Sequence, residues 1–363
     1  MRHAVILAGG SGTRLWPMST KALPKQLIPF IGGESLLSVA LDRLGAIVPP
    51  ANRYICAGVT HRDAIEASIP GFNDDQFIGE PTGRDTLNAI ALSCAVIARR
   101  DPDAVVGIFT ADHIIKPESQ FRASVEEAFE VAEKNDRTLC TFGIEPTHPA
   151  TGYGYLELGR DLDTRGKVVN VFREKPDIAT ARDYFDSGPD RYLWNSGMFV
   201  WKAGFFLDCV RRYESEIFSS INSIAEAWDS EGRDEILDAI YPTLKKISVD
   251  FAVMEPASSD DSVVVAALKL DLEWLDVGSW TEFAKTLDAD PRGNTTNGRS
   301  VFLESSGSVA VSDDPDHLIA TVGCEDLIIV HTKKSTLICA KSDAEKIKAL
   351  HSEVEEKYGE ELI

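Results

Sequence analysis

Ala4-Val5-Ile6-Leu7-Ala8-Gly9-Gly10-Ser11-Gly12-Thr13-Arg14-Leu15-Trp16-Pro17, with Pro24-Lys25-Gln26 close behind, decides how the rest of this chain is read. A short apolar run with β-branched residues that stops at two glycines has the length of a buried strand rather than a helix. Glycines just past a strand let the backbone approach a ligand closely, because no Cβ intervenes. The loop amides can then point at an anion, and phosphate is the best fit. Arg14 and Lys25 add two cations beside the loop. Two better-known loops are excluded. A Walker A loop ends in Gly-Lys-Ser/Thr, and none follows Gly12. A dinucleotide fingerprint needs a third glycine where this chain has Leu15. A bare glycine pair reads equally well as a tight turn without a ligand. The adjoining Thr-Arg-Leu-Trp-Pro and Pro-Lys-Gln tip the balance toward a nucleotide-phosphate site.

Working outward, 363 residues suit one large domain and a small one, and 44 % hydrophobic content is ample for a core. Lys and Arg total 37 against 58 Asp and Glu, a net charge of -21. That balance argues against general nucleic-acid or anionic-membrane binding. Any attraction for a nucleotide must therefore be local, from a few cations, loop amides and a divalent metal. The six cysteines are scattered, without a C-x-x-C pair, and read as buried reduced thiols. No Cys/His cluster suggests zinc. No apolar run is long enough for a membrane span or a signal-peptide core, so a soluble cytoplasmic protein is expected.

Helical spacing marks Ser35–Ile47, His61–Ile69, Thr86–Arg100 and Phe121–Ala132. Strand-like runs mark Arg53–Val59, Gln76–Ile78, Ala104–Phe109 and Thr138–Gly143. The alternation predicts an α/β fold with a doubly wound, mainly parallel sheet, whose ligands sit at the carboxyl ends of the strands. From Gly152 the texture changes: 152–158 and 167–172 read as antiparallel strands joined by a polar turn, followed by helices near Ile178–Asp186, Gly204–Tyr213 and Glu214–Trp228. A turn-rich break at 290–298 divides the chain into residues 1–290 and a small β-rich unit, 291–363. Within the latter, Ser342-Asp-Ala-Glu345 reads as a capping box. It would open a helix whose stripe Ile347, Leu350, Val354 and Tyr358 packs on its own small domain or makes a subunit contact.

The opening signature resembles that of the sugar-nucleotide pyrophosphorylases, a nucleotidyltransferase family with a Rossmann-like catalytic fold. Its Trp16 variant and the Lys25-Gln26 pair resemble the mannose-1-phosphate guanylyltransferase branch, as does Ser248-Val-Asp-Phe-Ala-Val-Met-Glu255. The resemblance implies that GTP and α-D-mannose 1-phosphate give GDP-mannose and diphosphate. It also implies Mg2+, a C-terminal β-helix-like domain and a homodimer. Because the sugar phosphate is already an anionic nucleophile, no general base is needed; the demand is for cations and a metal that stabilise an in-line transition state. With the chain ending at Ile363, no appended isomerase domain is expected. The same chemistry on another nucleotide and sugar phosphate is one alternative, and a silent GDP-mannose-binding homologue is another. The presence together of Arg14, Lys25, Asp112 and Asp276 speaks against silence.

The resemblance also assigns roles. Arg14 would face the leaving β,γ-phosphates and Lys25 the α-phosphate. Leu7, Ala8, Gly9, Gly10, Gly12 and Thr13 would line the nucleotide, with Glu80, Arg84 and Thr86 of Glu80-Pro-Thr-Gly-Arg-Asp-Thr86 near base and ribose. Asp112 of Ala-Asp-His113 and Asp276 of Leu-Asp-Val-Gly278 would hold the metal, and His113 would be structural. Gly152, Tyr153, Glu174, Lys175 and Asn195 would form the sugar pocket. This chain has Asp85 where the family usually has Asn.

Overall fold

The structure is a computed structural model that describes residues 1–10, 12–29, 33–162 and 166–363. Ser11 of the signature loop and part of the polar turn expected before residue 167 lie outside the described residues. The strands are β1 Arg2–Leu7, β2 Arg53–Gly58, β3 Phe77–Glu80, β4 Val105–Thr110, β5 His113–Lys116, β6 Thr138–Ile144, β7 Tyr155–Asp161, β8 Lys167–Arg173, β9 Tyr192–Lys202, β10 Val264–Leu270 and β11 Glu273–Asp276. Nine of them form one sheet in the order β3-β2-β1-β4-β9-β6-β10-β8-β7. The pairs β3-β2, β2-β1, β1-β4 and β6-β10 are parallel; β9 runs antiparallel to both β4 and β6. The expected mainly parallel sheet is thus present, with β9 inserted against the grain. Neither β9 nor β10 is among the strands expected from the sequence. β9 holds Trp194-Asn-Ser-Gly-Met-Phe199, where polar residues break the apolar pattern.

Period-two alternation divides the core. Val5 of β1 and Val106 and Ile108 of β4 face one layer, which includes the helices Asp85–Arg100, Ala203–Tyr213 and Ser215–Ala227. Ala4, Ile6, Val105 and Phe109 face the other, with helices Leu36–Arg43 and Glu118–Lys134. Each strand in the middle of such a sheet is apolar on both sides, which is why the runs at 4–8 and 104–109 read so clearly. The antiparallel ribbon expected at 152–172 is β7–β8. Among the described residues no helix is long and apolar enough to cross a membrane, and all six cysteines are free, four of them buried.

The C-terminal unit carries β12 Thr295–Thr296, β13 Ser300–Leu303, β14 Val309–Ser312, β15 Ile319–Val322, β16 Leu327–His331 and β17 Thr336–Ala340. The parallel pairs β12-β14, β14-β16 and β13-β15 are those of short β-helix coils. Two expectations fail here. Ser342 is not a cap: residues Lys341–Lys346 form a 3-10 turn without a side-chain cap bond, and the α-helix begins at Ile347. The terminal helix also does not pack on its own domain alone. Ile347 and Val354 join a core that mixes Val309, Val311, Ile328 and Val330 with Leu15, Trp16, Met18 and Trp280, while Leu350 and Tyr358 stay exposed.

Trp280 centres this joint. It is fully buried, and its indole N–H donates to Trp16 O at 3.0 Å. Trp280→Ala opens a large cavity there and is expected to destabilise the protein by about 3–5 kcal/mol, read as a lower chemical-denaturation midpoint; an unchanged midpoint would mean that the joint is not a supporting core.

Candidate functional site

The signature loop leaves β1 at the carboxyl edge of the sheet. Leu7 O accepts from Ala111 N and Ala8 N donates to Cys56 O, so the loop is anchored on both sides before the glycines begin. Gln26, buried, donates its side-chain amide to Gly9 O. Gly12 has φ 58°, and a Cβ there would lie 2.5 Å from Ser19 Oγ and 2.9 Å from Lys25 Cβ. A side chain at that position is excluded by both conformation and space. The chain then turns through the 3-10 helix Thr13–Leu15, with Gly12 at its N-cap. Gly9 has open space at its Cβ position, and Gly10, at φ 101°, would meet only Gln26 Nε2 at 3.9 Å.

Asp112 and Asp276 are brought to this loop by the β5–β11 ribbon. Its antiparallel register sets Asp276 opposite His113, and Val277 N donates to Asp112 O at 3.0 Å. Lys25 Nζ lies 2.8 Å from Asp112 Oδ2 and 3.4 Å from Val277 O. Burial pushes the Asp112 carboxyl up, but the Lys25 ammonium outweighs it and holds the group below the usual range. Asp276 goes the other way, raised by burial and by Asp112 beside it. Arg14 lies over Gly278, where a Cβ would be 3.0 Å from Arg14 Nη2. Its Nη1 donates to Glu345 Oε1 at 3.1 Å, from the C-terminal unit.

Asp112, His113 and Asp276 each bring a potential ligand atom within 4.8 Å of the others. The imidazole is not free to serve. His113 Nδ1 accepts from Trp274 Nε1 at 3.2 Å. Nδ1 also lies 2.7 Å from the Thr110 hydroxyl, so that nitrogen is taken up by two protein partners, and the other, Nε2, is 3.7 Å from Asp112 Oδ1. The ring is kept neutral by burial. The donor set is therefore two carboxylates, hard anionic oxygens of the kind that hold Mg2+ together with phosphate oxygens and water. The residues fit that ion, with His113 beside the pair rather than in it.

The residues expected near base and ribose have protein partners. Glu80, buried at the end of β3, accepts from Tyr241 OH at 2.6 Å. Arg84 donates to Pro242 O, and Thr86 Oγ1 accepts from Val249 N at 3.0 Å. Together they fasten residues 241–249 to the sheet edge. Asp85 has φ 68°, a left-handed conformation that Asp and Asn both tolerate. Its charge raises the carboxyls of Glu174 and Asp250, so it faces the sugar-side cluster.

On that side, Tyr155 pairs with both Arg173 and Trp194, which brings Gly154, Glu174 and Asn195 together. A Cβ on Gly154 would sit 2.6 Å from Glu174 Oε2 and 3.4 Å from Asn195 Cβ. Gly152 is exposed, with nothing within 4 Å of its Cβ position. The glycine packed against Glu174 and Asn195 is thus Gly154, while Gly152, expected to line the sugar pocket, stays exposed two residues earlier. Lys175, at φ 43°, pairs with Glu174 at 3.0 Å. Tyr153 packs 4.9 Å from Trp194 and 5.6 Å from Trp274, which packs 4.8 Å from His113. This aromatic row connects the carboxylate pair to the sugar side and lines a cavity of about 960 Å³ that also includes Asp276.

Three contributors are not evident from sequence reasoning. Asp250 accepts from Asn195 Nδ2 at 2.8 Å. Gln26 stands out in the sequence only as part of the Pro-Lys-Gln motif. Arg43 is fully buried, donates to His113 O at 2.9 Å and lies over the Phe121 ring. Burial pushes its guanidinium down to about 10, with the charges of Glu118 and Asp112 opposing. A signal existed: Arg43 falls on the apolar stripe of its helix, three residues after Ala40 and seven after Leu36.

Comparison with known proteins agrees with this geometry. Residues 3–292 match the nucleotidyl transferase family, and residues 298–353 match the MannoseP isomerase/GMP-like beta-helix domain. The chain is 34 % identical over 356 residues to the xanthan biosynthesis protein XanB of Xanthomonas campestris pv. campestris, covering 96 % of this chain and 72 % of that one. It is 33 % identical over 361 residues to the mannose-1-phosphate guanylyltransferase of Escherichia coli K12, covering 97 % and 73 %. A solved structure from Thermus thermophilus, described as a mannose-1-phosphate geranyltransferase, superposes with a TM-score of 0.83 at 28 % identity over 98 % of this chain and 99 % of that one. The signature loop, the sheet that carries it and these relatives agree, and the chain belongs to the nucleotidyl transferase family.

Proposed function

We propose that this nucleotidyltransferase transfers GMP from GTP to α-D-mannose 1-phosphate, forming GDP-mannose and releasing diphosphate. The observation that carries the reading is the meeting of Lys25, Asp112 and Asp276 beside the glycine loop, with the hydrogen-bonded Asn195 and Asp250 on the same sheet edge suited to meet a sugar hydroxyl. Relatives named mannose-1-phosphate guanylyltransferase support the choice of substrates.

In this reading a phosphate oxygen of the sugar 1-phosphate attacks the α-phosphorus of GTP. The new P–O bond forms as the bond to the β-phosphate oxygen breaks and diphosphate leaves. No proton needs to be removed from the nucleophile. The glycine-loop amides and Arg14 bind the departing phosphates, and Lys25 reaches the α-phosphate. Mg2+, when bound by Asp112 and Asp276, supplies charge neutralisation between two polyanions. Lys25 is prepared for this: the carboxylate it now pairs with is one that a cation would engage, leaving its ammonium for phosphate. Glu80 suits guanine, whose N1–H and exocyclic amine are both donors, whereas uracil and thymine offer one N–H between two carbonyl oxygens.

Exposed apolar side chains on the C-terminal unit support the homodimer that the resemblance implies. Val301, Leu303 and Val322 are exposed on adjacent β13 and β15, with Leu303 registered against Val322. A contiguous exposed apolar face is a common mark of an interface.

Diphosphate release is to be measured with Mg2+ across four nucleoside triphosphates and mannose, glucose and galactose 1-phosphates. Release confined to GTP with mannose 1-phosphate is expected, and a peak elsewhere overturns the substrate assignment. Asp112→Asn is expected to lower turnover at least ~100-fold with an intact fold by circular dichroism; unchanged turnover removes Asp112 from the site. Glu80→Gln should erode the preference for GTP over UTP by about tenfold or more, because the amide introduces a donor facing guanine's donors. Leu303→Asp should halve the mass seen by light scattering if the β13–β15 face is the dimer contact.

A further inference from the structure

We infer that Asp250 is a positioning residue of the sugar side, holding the Asn195 amide in the one orientation that leaves a donor and an acceptor free for a sugar hydroxyl. The inference rests on the sugar 1-phosphate reading of that cluster. Asn195 sits at the start of β9, which runs antiparallel to β6 and so begins at the carboxyl edge where substrates gather. Its Oδ1 accepts from the buried Thr141 hydroxyl at 2.6 Å, and its Nδ2 donates to Asp250 Oδ1 at 2.8 Å. The Thr141 hydroxyl could also accept from a turned amide, since its proton has a second acceptor in Met198 O at 3.1 Å, so it is the ionised Asp250 carboxylate, which only accepts, that fixes which way the amide faces. Each partner uses one side of the amide. One N–H and one carbonyl lone pair remain.

Asp250 stands in a single π-helical turn, Asp250–Met254, a form that recurs at functional sites. That turn is reached through 241–249, the segment fastened by Glu80, Arg84 and Thr86. The 80–86 loop and the sugar residue are thereby one mechanical unit. The arrangement is electrostatically costly. The charged groups facing Asp250 are Glu174, Lys175 and Asp85, three carboxylates in all around one ammonium, and burial together with Glu174 pushes the Asp250 carboxyl up to about 7. A group whose folded value is raised contributes stability below the ordinary carboxylate range and loses it as pH rises toward 7. Carboxylates kept in such company serve binding rather than stability.

The test is steady-state kinetics on the full chain with GTP and mannose 1-phosphate, for Asp250→Ala, Asp250→Asn, Asn195→Ala and the double alanine variant. Asp250→Ala is expected to raise the KM for the sugar 1-phosphate by about tenfold or more while moving the KM for GTP less than about twofold. Asp250→Asn, whose carbonyl can still accept from Asn195, should recover most of that loss. The double variant should be no worse than Asn195→Ala, since one acts through the other. Asp250→Asn should also melt higher than wild type at pH 8, with the gap narrowing at pH 5. An unchanged KM for the sugar phosphate, an equal rise in both KM values, or additive losses overturn the inference. Should Asp250→Ala fail to fold, Asp250→Leu, which keeps the volume but removes the acceptor, takes its place in the same comparison, and an unchanged KM for the sugar phosphate there overturns the inference. Wild-type silence with mannose 1-phosphate but turnover of another sugar 1-phosphate defeats the substrate reading alone, and the same comparison is then made with that sugar. Silence with all of them overturns both.

Discussion

Everything at the catalytic edge depends on the placing of two carboxylates beside one buried lysine. Asp112 and Asp276 come from distant parts of the sequence and repel one another. Three features make their approach tolerable. The β5–β11 ribbon fixes the backbone, Lys25 neutralises Asp112, and Arg43 lies behind the pair with its guanidinium on the His113 carbonyl. Burying a lone carboxylate would cost several kcal/mol; burying this set costs less because the cations arrive on the same scaffold. The residual imbalance, with Asp276 raised and Asp112 depressed, is what a divalent cation would relieve.

The loop that carries Arg14 and Lys25 is in turn held by the C-terminal unit. Three ion pairs reach across: Arg14 to Glu345, and Lys21 to Glu355 and Glu360. All are largely exposed, and pairs of that kind contribute on the order of 0–1 kcal/mol. The buried contacts matter more. Trp16 donates to Leu362 O at 2.7 Å and accepts at its own carbonyl from Trp280, inside a core shared by both units. The C-terminal unit therefore braces residues 13–18, the stretch that carries Arg14, and Glu345 is its one side chain that pairs with Arg14 itself among the described residues.

Much of this is legible in the sequence, and the misses have physical causes. Strands buried on both faces announce themselves as apolar runs, so β1 and β4 are plain. β9 is not, because Asn195, Ser196 and Gly197 interrupt it at the sheet edge. The carboxylate pair is legible only through resemblance; a strand-end Asp and a turn Asp look alike whether or not register brings them together. The packing of Gly154 against Glu174 follows from the register of β7, which no local pattern encodes. The capping box fails because the 3-10 turn at Lys341–Lys346 forms without a side-chain cap from Ser342. Asp250 falls in the 248–255 stretch that carries the resemblance, yet its role is not legible there. Its role lies in a hydrogen bond to a residue on another strand, and no local pattern encodes that.

The departure at position 85 is decided by the same kind of reasoning. The backbone there is left-handed, and Asp occupies that region nearly as readily as Asn. Its side chain accepts from the amide of Thr86 at 2.8 Å, an interaction that needs only a side-chain oxygen. The conformation is thus insensitive to the exchange, and what changes is one unit of charge. That charge falls on Glu174, Lys175 and Asp250 rather than on the glycine loop. The same charge also adds to the upward push that burial gives the Glu80 carboxyl, so the consequence of the substitution reaches both sides of the 80–86 loop. An added carboxylate near Lys175 weakens the claim of any one carboxylate on that ammonium and raises its retention of a proton. In a chain of net charge -21, Lys175 is thereby held as a cation among Glu174, Asp250 and Asp85.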